Sequence, residues 1–220
     1  MENTDLQTTE KENKGVALLE KAYEFALNGI PMVSESLDEL VMPYLTHAKD
    51  KDTAIANFIK NQKLKCSTTG FLTGLGGLIT LPVSLPADLL SSVYMEVRMI
   101  AGIAMIRGYN VKDDSVKTAV YMCLVGNSVS DVIKQVGIKT AQQITIKKLL
   151  PKITGPMLAK INRAVGFRLI TKGGSKGLIN IGKAIPVLGG VVGGVWNWAE
   201  VAFCAKYAKK MFNENESQDN

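Results

Sequence analysis

Two stretches of this chain contain no charged residue and are rich in glycine: Thr68–Ala87 (TTGFLTGLGGLITLPVSLPA) and Ala184–Ala199 (AIPVLGGVVGGVWNWA). Twenty uncharged residues are enough to cross a bilayer. The first stretch nevertheless makes a poor straight span, because it holds four glycines, five hydroxyl residues and the helix breakers Pro82 and Pro86. Pro186 interrupts the second in the same way. What glycine permits instead is close approach of two backbones. Gly70 and Gly74 stand four apart, with Gly76 and Gly77 just beyond them, and Gly189, Gly190, Gly193 and Gly194 form two overlapping GxxxG pairs. The expectation is two glycine-rich helices packed together, either in a dry core or in lipid, with Trp196 and Trp198 as candidate interface anchors.

Around these stretches the apolar residues recur at helical spacing, and no strand-like alternation persists. The fold class expected is all-α, a single bundle-like domain over 14–212 with polar, disordered tails at 1–13 and 213–220. Val16, Leu18, Leu19, Ala22, Tyr23, Phe25 and Ala26 make a first apolar face that Asn28–Gly29 ends. Ser36 followed by Glu39 reads as a capping box, and Pro43 should kink or shorten the helix it opens. Asp52 is the N-cap expected for a third helix. A strongly apolar helix should run from Pro86 to Arg107 and stop at Gly108. The next starts near Asp113–Asp114 and continues past Gly126–Asn127 to Val136, where Gly137 stops it. Thr140–Leu150 and Met157–Thr171 are two further helices, and a last one runs to Phe212.

Charge is distributed unevenly. Residues 1–60 contain eleven acids and six bases, whereas Val132–Ala199 contains no acid and eleven bases. Lys147, Lys148, Lys152, Lys160, Arg163, Arg168, Lys172 and Lys176 are the candidate contacts for an anionic partner, a membrane surface above all. The plainer alternative has them as solvated helix faces, or paired with the acidic N-terminal region. Nucleic acid is the weaker reading, since Phe167 is the only aromatic among these bases before the tryptophans and offers no stacking platform.

Catalytic chemistry has little to work with. His47 is the only histidine and reads as a surface residue. Gly74-Leu75-Gly76-Gly77 does not match the dinucleotide fingerprint, and HExxH, GxSxG and Walker A patterns are absent. Cys66, Cys123 and Cys204 are scattered and odd in number, which fits a reducing cytoplasm better than a disulfide framework. Neither a metal nor a cofactor is expected. The polar N-terminus suggests no secretion signal. Asp88 and Glu96 are the one carboxylate pair worth weighing, two helical turns or roughly 12 Å apart at about 1.5 Å per residue. With Arg98 they mark either a buried ion-pair cluster or a polar site.

The run Gly74-Leu75-Gly76-Gly77-Leu78-Ile79-Thr80-Leu81-Pro82, then Leu85-Pro86-Ala87-Asp88, resembles a block of the EcsC family. So do the apolar helix with Arg98, Ile100, Ala101 and Gly108-Tyr109, the run Lys183–Gly190 with Gly193, Gly194 and Asn197, and Ala205, Ala208 and Phe212 near the end. The resemblance spans about Thr69 to Phe212 and leaves the acidic N-terminal region outside. That family is named for a bacterial protein encoded with an ABC transporter. The resemblance implies an accessory role, cytoplasmic or peripheral to the inner face of the membrane, and brings no catalytic residues with it. The function expected is a non-enzymatic, membrane-associated protein that binds an anionic membrane surface or a membrane-protein partner. The alternative is a soluble lipid-binding protein or hydrolase with its site around Asp88, Glu96 and Arg98.

Overall fold

The computed structural model describes residues 2–66, 87–138, 145–173 and 192–213. Over these residues the chain is all-α, with nine helices: α1 (Glu2–Asn28), α2 (Leu37–His47), α3 (Lys51–Cys66), α4 (Ala87–Arg107), α5 (Asp114–Leu124), α6 (Val129–Gln135), α7 (Ile146–Leu149), α8 (Gly155–Gly173) and α9 (Val192–Met211). Extended pairing among the described residues is limited to one bridge, Ile30 to Ser34, in the turn between α1 and α2. The expected pairing of two glycine-rich helices falls largely outside the described residues, which include none of Gly70, Gly74, Gly76, Gly77, Gly189 and Gly190. Gly193 and Gly194 lie in the first turn of α9.

The centre of the bundle is α4. Leu89–Arg107 is long and apolar enough to cross a membrane, but 78 % of its most apolar window is buried inside this molecule. The helix packs against α1, α2, α3, α5 and α9, and Val93, Val97, Ile100, Ala101, Ile103 and Ala104 are all sealed from solvent. A helix apolar on every side is what a bundle needs at its axis.

The contacts along α4 fix the direction of its neighbours. Asp52 at the start of α3 meets Arg107 at the end of α4, and a Cβ on Gly102 would lie 2.3 Å from the Phe58 ring. So α3 runs antiparallel to α4. Tyr109, just beyond α4, packs its ring 5.3 Å from that of Phe212, just beyond α9. Since α9 also packs along α4, the two run parallel. Tyr44 meets Phe58 at 5.3 Å, and Lys65 meets Glu35 at 3.4 Å, which sets α2 antiparallel to α3. The α1–α2 turn and the end of α3 therefore lie together beside Tyr94 and Arg98, midway along α4, whereas the α4–α5 turn, the start of α3 and the end of α9 gather at one end of the bundle.

Local chemistry explains most helix ends. Ser36 and Glu39 form the capping box that their spacing predicts, with each side chain bonding the other's backbone N–H. Pro43 lies inside α2, which runs on past it to His47. Gly29 (φ +77°) ends α1, and Gly108 (φ +93°) ends α4 with paired bonds from Gly108 N–H to Met105 and from Tyr109 N–H to Ala104.

Four boundaries differ from the sequence reading. The cap of α3 is Asp50, whose carboxylate accepts the Thr53 N–H at 2.7 Å. Asp52 lies inside the helix and instead accepts a hydrogen bond from Arg107. The helix expected to continue through Gly126 is broken there by a 3-10 turn, Gly126–Ser128. Gly126 adopts φ +52°, and any Cβ on it would strike the Phe203 ring at 2.3 Å. Of Thr140–Leu150, residues 140–144 lie outside the described residues, and the remainder forms the short α7 and the start of a second 3-10 turn, Leu150–Lys152. At the N-terminus α1 starts at Glu2, within the residues expected to form a polar tail. That stretch contains neither Gly nor Pro between Glu2 and Lys14, and Glu10 pairs with Lys14 one turn on at 2.7 Å.

The closest backbone approach among the described glycines is between α1 and α8. A Cβ on Gly15 would lie 2.2 Å from the carbonyl carbon of Gly166, and one on Gly166 would lie 2.6 Å from that of Gly15. Both positions must be glycine for these helices to touch. Ile161, Val165 and Leu169 on α8, and Leu18, Leu19 and Ala22 on α1, are buried on either side of the crossing.

Candidate functional site

Arg98 is the best-determined of the residues singled out as a polar site. It is only 4 % exposed. Its Nη1 donates to the carbonyl of Ala26 at 3.2 Å and its Nη2 to the carbonyl of Glu35 at 2.7 Å. The Glu35 carboxylate stands 3.6 Å from the same nitrogen, and the Tyr94 ring centroid lies 5.9 Å from the guanidinium carbon. Ala26 belongs to the last turn of α1, where carbonyls lack helical partners and the macrodipole favours a cation. One turn back along α4, the Tyr94 hydroxyl bonds Ser34 Oγ at 2.9 Å, and Ser34 Oγ accepts the Ile30 N–H. Tyr94 and Arg98 together clamp the α1–α2 turn onto the central helix. The carboxyl of Glu35 is held below its usual range: backbone hydrogen bonding, Lys65 and Arg98 together outweigh the opposing effect of partial burial.

Glu96 is buried, with the Ser92 hydroxyl 3.4 Å from its carboxylate. Two positions from Arg98, it projects from a different face of α4. Asp88 opens α4, but its side chain lies outside the described residues. Neither of the two described cavities is lined by Glu96 or Arg98. The first, about 160 Å³, lies between the Gly126–Ser128 turn and α9, and includes Cys123, Asn127, Ser130, Tyr207 and Lys210. Cys123 is buried, and that burial raises its thiol pKa, which disfavours the thiolate form. The second is an open groove between α2 and α3 with Glu39, Tyr44, His47, Asn57, Lys60 and Lys65 on its walls. His47 sits at the C-terminus of α2, its Nδ1 donating to the Pro43 carbonyl at 2.7 Å. Among the described residues no three His, Cys, Asp or Glu side chains come together as a metal site.

The basic residues present a different surface. Lys147, Lys148, Lys152, Lys160 and Arg163 are all exposed, on α7, the turn that follows it and the outer face of α8. Arg168 is half-buried and donates to the Ser128 carbonyl at 3.0 Å, which ties α8 to the break before α6. Lys172 ends α8 with its side chain outside the described residues, and Lys176 lies wholly outside them. The described ion pairs of the N-terminal acids are as follows. Glu20 on α1 pairs with Lys117 on α5 at 2.5 Å, Glu10 and Glu24 pair within α1, and Asp52 pairs with Arg107.

The pattern of the EcsC protein family matches residues 2–214. This chain belongs to the EcsC family. The match takes in the acidic α1–α3 region, which the resemblance of the glycine and proline blocks had left outside. The fold explains why: α1 and α2 are fastened to the family-like α4 through Arg98 and Tyr94, and α1 to α8 through Gly15 and Gly166. No curated protein and no solved structure matches the chain.

Proposed function

We propose that this EcsC-family chain is a non-enzymatic, membrane-associated accessory protein that docks on the anionic inner face of a membrane, alone or beside a membrane-protein partner. The observation that carries the reading is the exposed basic set on α7 and α8, in a stretch of sequence with no acid from Val132 to Ala199. Each lysine or arginine close to an anionic membrane contributes about 1 kcal/mol of attraction, so a handful suffices for reversible binding that salt reverses. The buried polar residues of α4 support the same reading, because Arg98 is committed to backbone carbonyls rather than to an open site.

Flotation with vesicles of phosphatidylcholine and phosphatidylglycerol tests it. The protein should float with anionic vesicles at low salt, not with neutral ones, and release at high salt. Reversing Lys147, Lys148, Lys160 and Arg163 together to Glu should lower the bound fraction at least tenfold. Wild-type protein that stays at the bottom of the gradient at low salt would exclude the reading.

A further inference from the structure

The break between α5 and α6 leaves a space that the neighbouring helices do not fill. Gly126 adopts φ +52°, and the chain leaves α5 through a 3-10 turn instead of continuing the helix. α9 packs across this break. Phe203 and Tyr207, one turn apart on α9, hold their ring centroids 4.6 Å from each other and press on Gly126, where a Cβ would meet the Phe203 ring at 2.3 Å and the Tyr207 ring at 3.1 Å. The Tyr207 hydroxyl donates to Asn127 Oδ1, which pins the turn to α9. Beside these contacts lies the cavity of about 160 Å³.

The lining of the cavity changes in chemistry from its inner wall to its mouth. Met122 and Cys123 at the end of α5 and Met211 at the end of α9 are buried and make the inner wall apolar and rich in sulfur. Asn127 and Lys210 are exposed, and Ser130 and Tyr207 half-buried, so the mouth is polar. Three of these side chains have donors to spare. Asn127 is engaged through its oxygen, which leaves its amide nitrogen. Among the described residues none hydrogen-bonds the Ser130 hydroxyl or pairs with the Lys210 ammonium, and no acid lines the cavity. A cavity of about 150 Å³ accepts a benzene-sized molecule, and thioether side chains adapt to the edge or face of a ring. An ammonium beside amide and hydroxyl donors, with no facing carboxylate, suits one anionic head group.

We propose that this cavity binds a small monocarboxylate with a ring-sized apolar body, its carboxylate toward Lys210, Ser130 and Asn127 and its body against Met122 and Met211. The site goes beyond the membrane reading above and does not rest on it.

Benzoate, benzyl alcohol and benzylamine share a ring and differ in the charge of the head group. Each is titrated into the full chain, carbon-13 labelled at its methionine methyl groups, and followed by nuclear magnetic resonance. Met122→Leu and Met211→Leu assign the two signals that matter. Benzoate should shift both along a saturating curve, leave the signals of the exposed Met32 and Met42 in place, and bind more tightly than benzyl alcohol, with benzylamine weakest. Lys210→Ala changes an exposed side chain, so it should keep the wild-type circular dichroism. It should weaken benzoate about fivefold, as the loss of one exposed charge contact does, and leave benzyl alcohol within about twofold. Ser130→Leu, which fills the mouth, should remove the binding of both. The absence of a saturable shift at Met122 and Met211 with all three compounds overturns the proposal. So does benzylamine binding as tightly as benzoate, or benzoate binding that Lys210→Ala leaves unchanged, because the carboxylate would then go unrecognised.

Discussion

α4 and α8 are of similar length, and each carries basic residues on a largely apolar helix, yet the two use those charges in opposite ways. On α4, Arg98 and Arg107 are turned inward, with Arg98 satisfying carbonyls at the end of α1 and in the turn after it. On α8, Lys160 and Arg163 face water, and only Arg168 is drawn into the structure, by the Ser128 carbonyl. Partners account for the difference. A buried guanidinium is tolerated where fixed acceptors replace the water it loses, and α4 has such acceptors because it ends up beside the C-terminus of α1. Lys160 and Arg163 on α8 stay in solvent, which leaves them available to something outside the molecule.

That contrast breaks first at Arg98. Arg98→Ala removes two charge-assisted hydrogen bonds and leaves buried carbonyls unpaired, so it should lower unfolding stability by about 3–5 kcal/mol, read by chemical denaturation. Arg98→Lys should recover only part of this, because an ammonium group cannot reproduce the planar fork. If Arg98→Ala unfolded like wild type, Arg98 would not be the tie described here. Gly15→Val comes second. Its side chain meets the Gly166 backbone where no rotamer can move it away, and should cost about 2–3 kcal/mol by forcing α1 and α8 apart. Ser36→Ala removes one half of the capping box and should cost about 1 kcal/mol. Lys160→Glu with Arg163→Glu should be smallest, within about 0.5 kcal/mol of wild type. A loss of more than 2 kcal/mol there would make the α8 charges structural and erase the contrast.

How much of this was legible in the sequence depends on how local the cause was. The capping box and the stops at Gly29, Gly108 and Gly137 were readable, because each is decided by a few neighbouring residues. The Asp50 cap was missed because Asp50 and Asp52 are equivalent by composition, and only the distant Arg107 distinguishes them. The break at Gly126 depends on Phe203, far along the chain. Gly15 and Gly166 are lone glycines in helices of ordinary composition, and no sequence spacing could pair them. The close approach seen among the described residues is between α1 and α8, at Gly15 and Gly166, outside both glycine-rich stretches. Of the candidate site, the basic face was legible as charge, whereas the inward turn of Arg98 followed only from the placement of α1.

Hydrogen–deuterium exchange of the full chain, with and without anionic vesicles, would test most directly whether α8 faces outward to a membrane while α4 stays in the core. Amides of residues 145–165 should gain protection when vesicles are added and lose it again at high salt, and those of residues 93–107 should remain as slow as in the free protein. Vesicle-induced opening of 93–107 with no change across 145–165 would contradict the account, because the central helix would then be the part that meets the lipid.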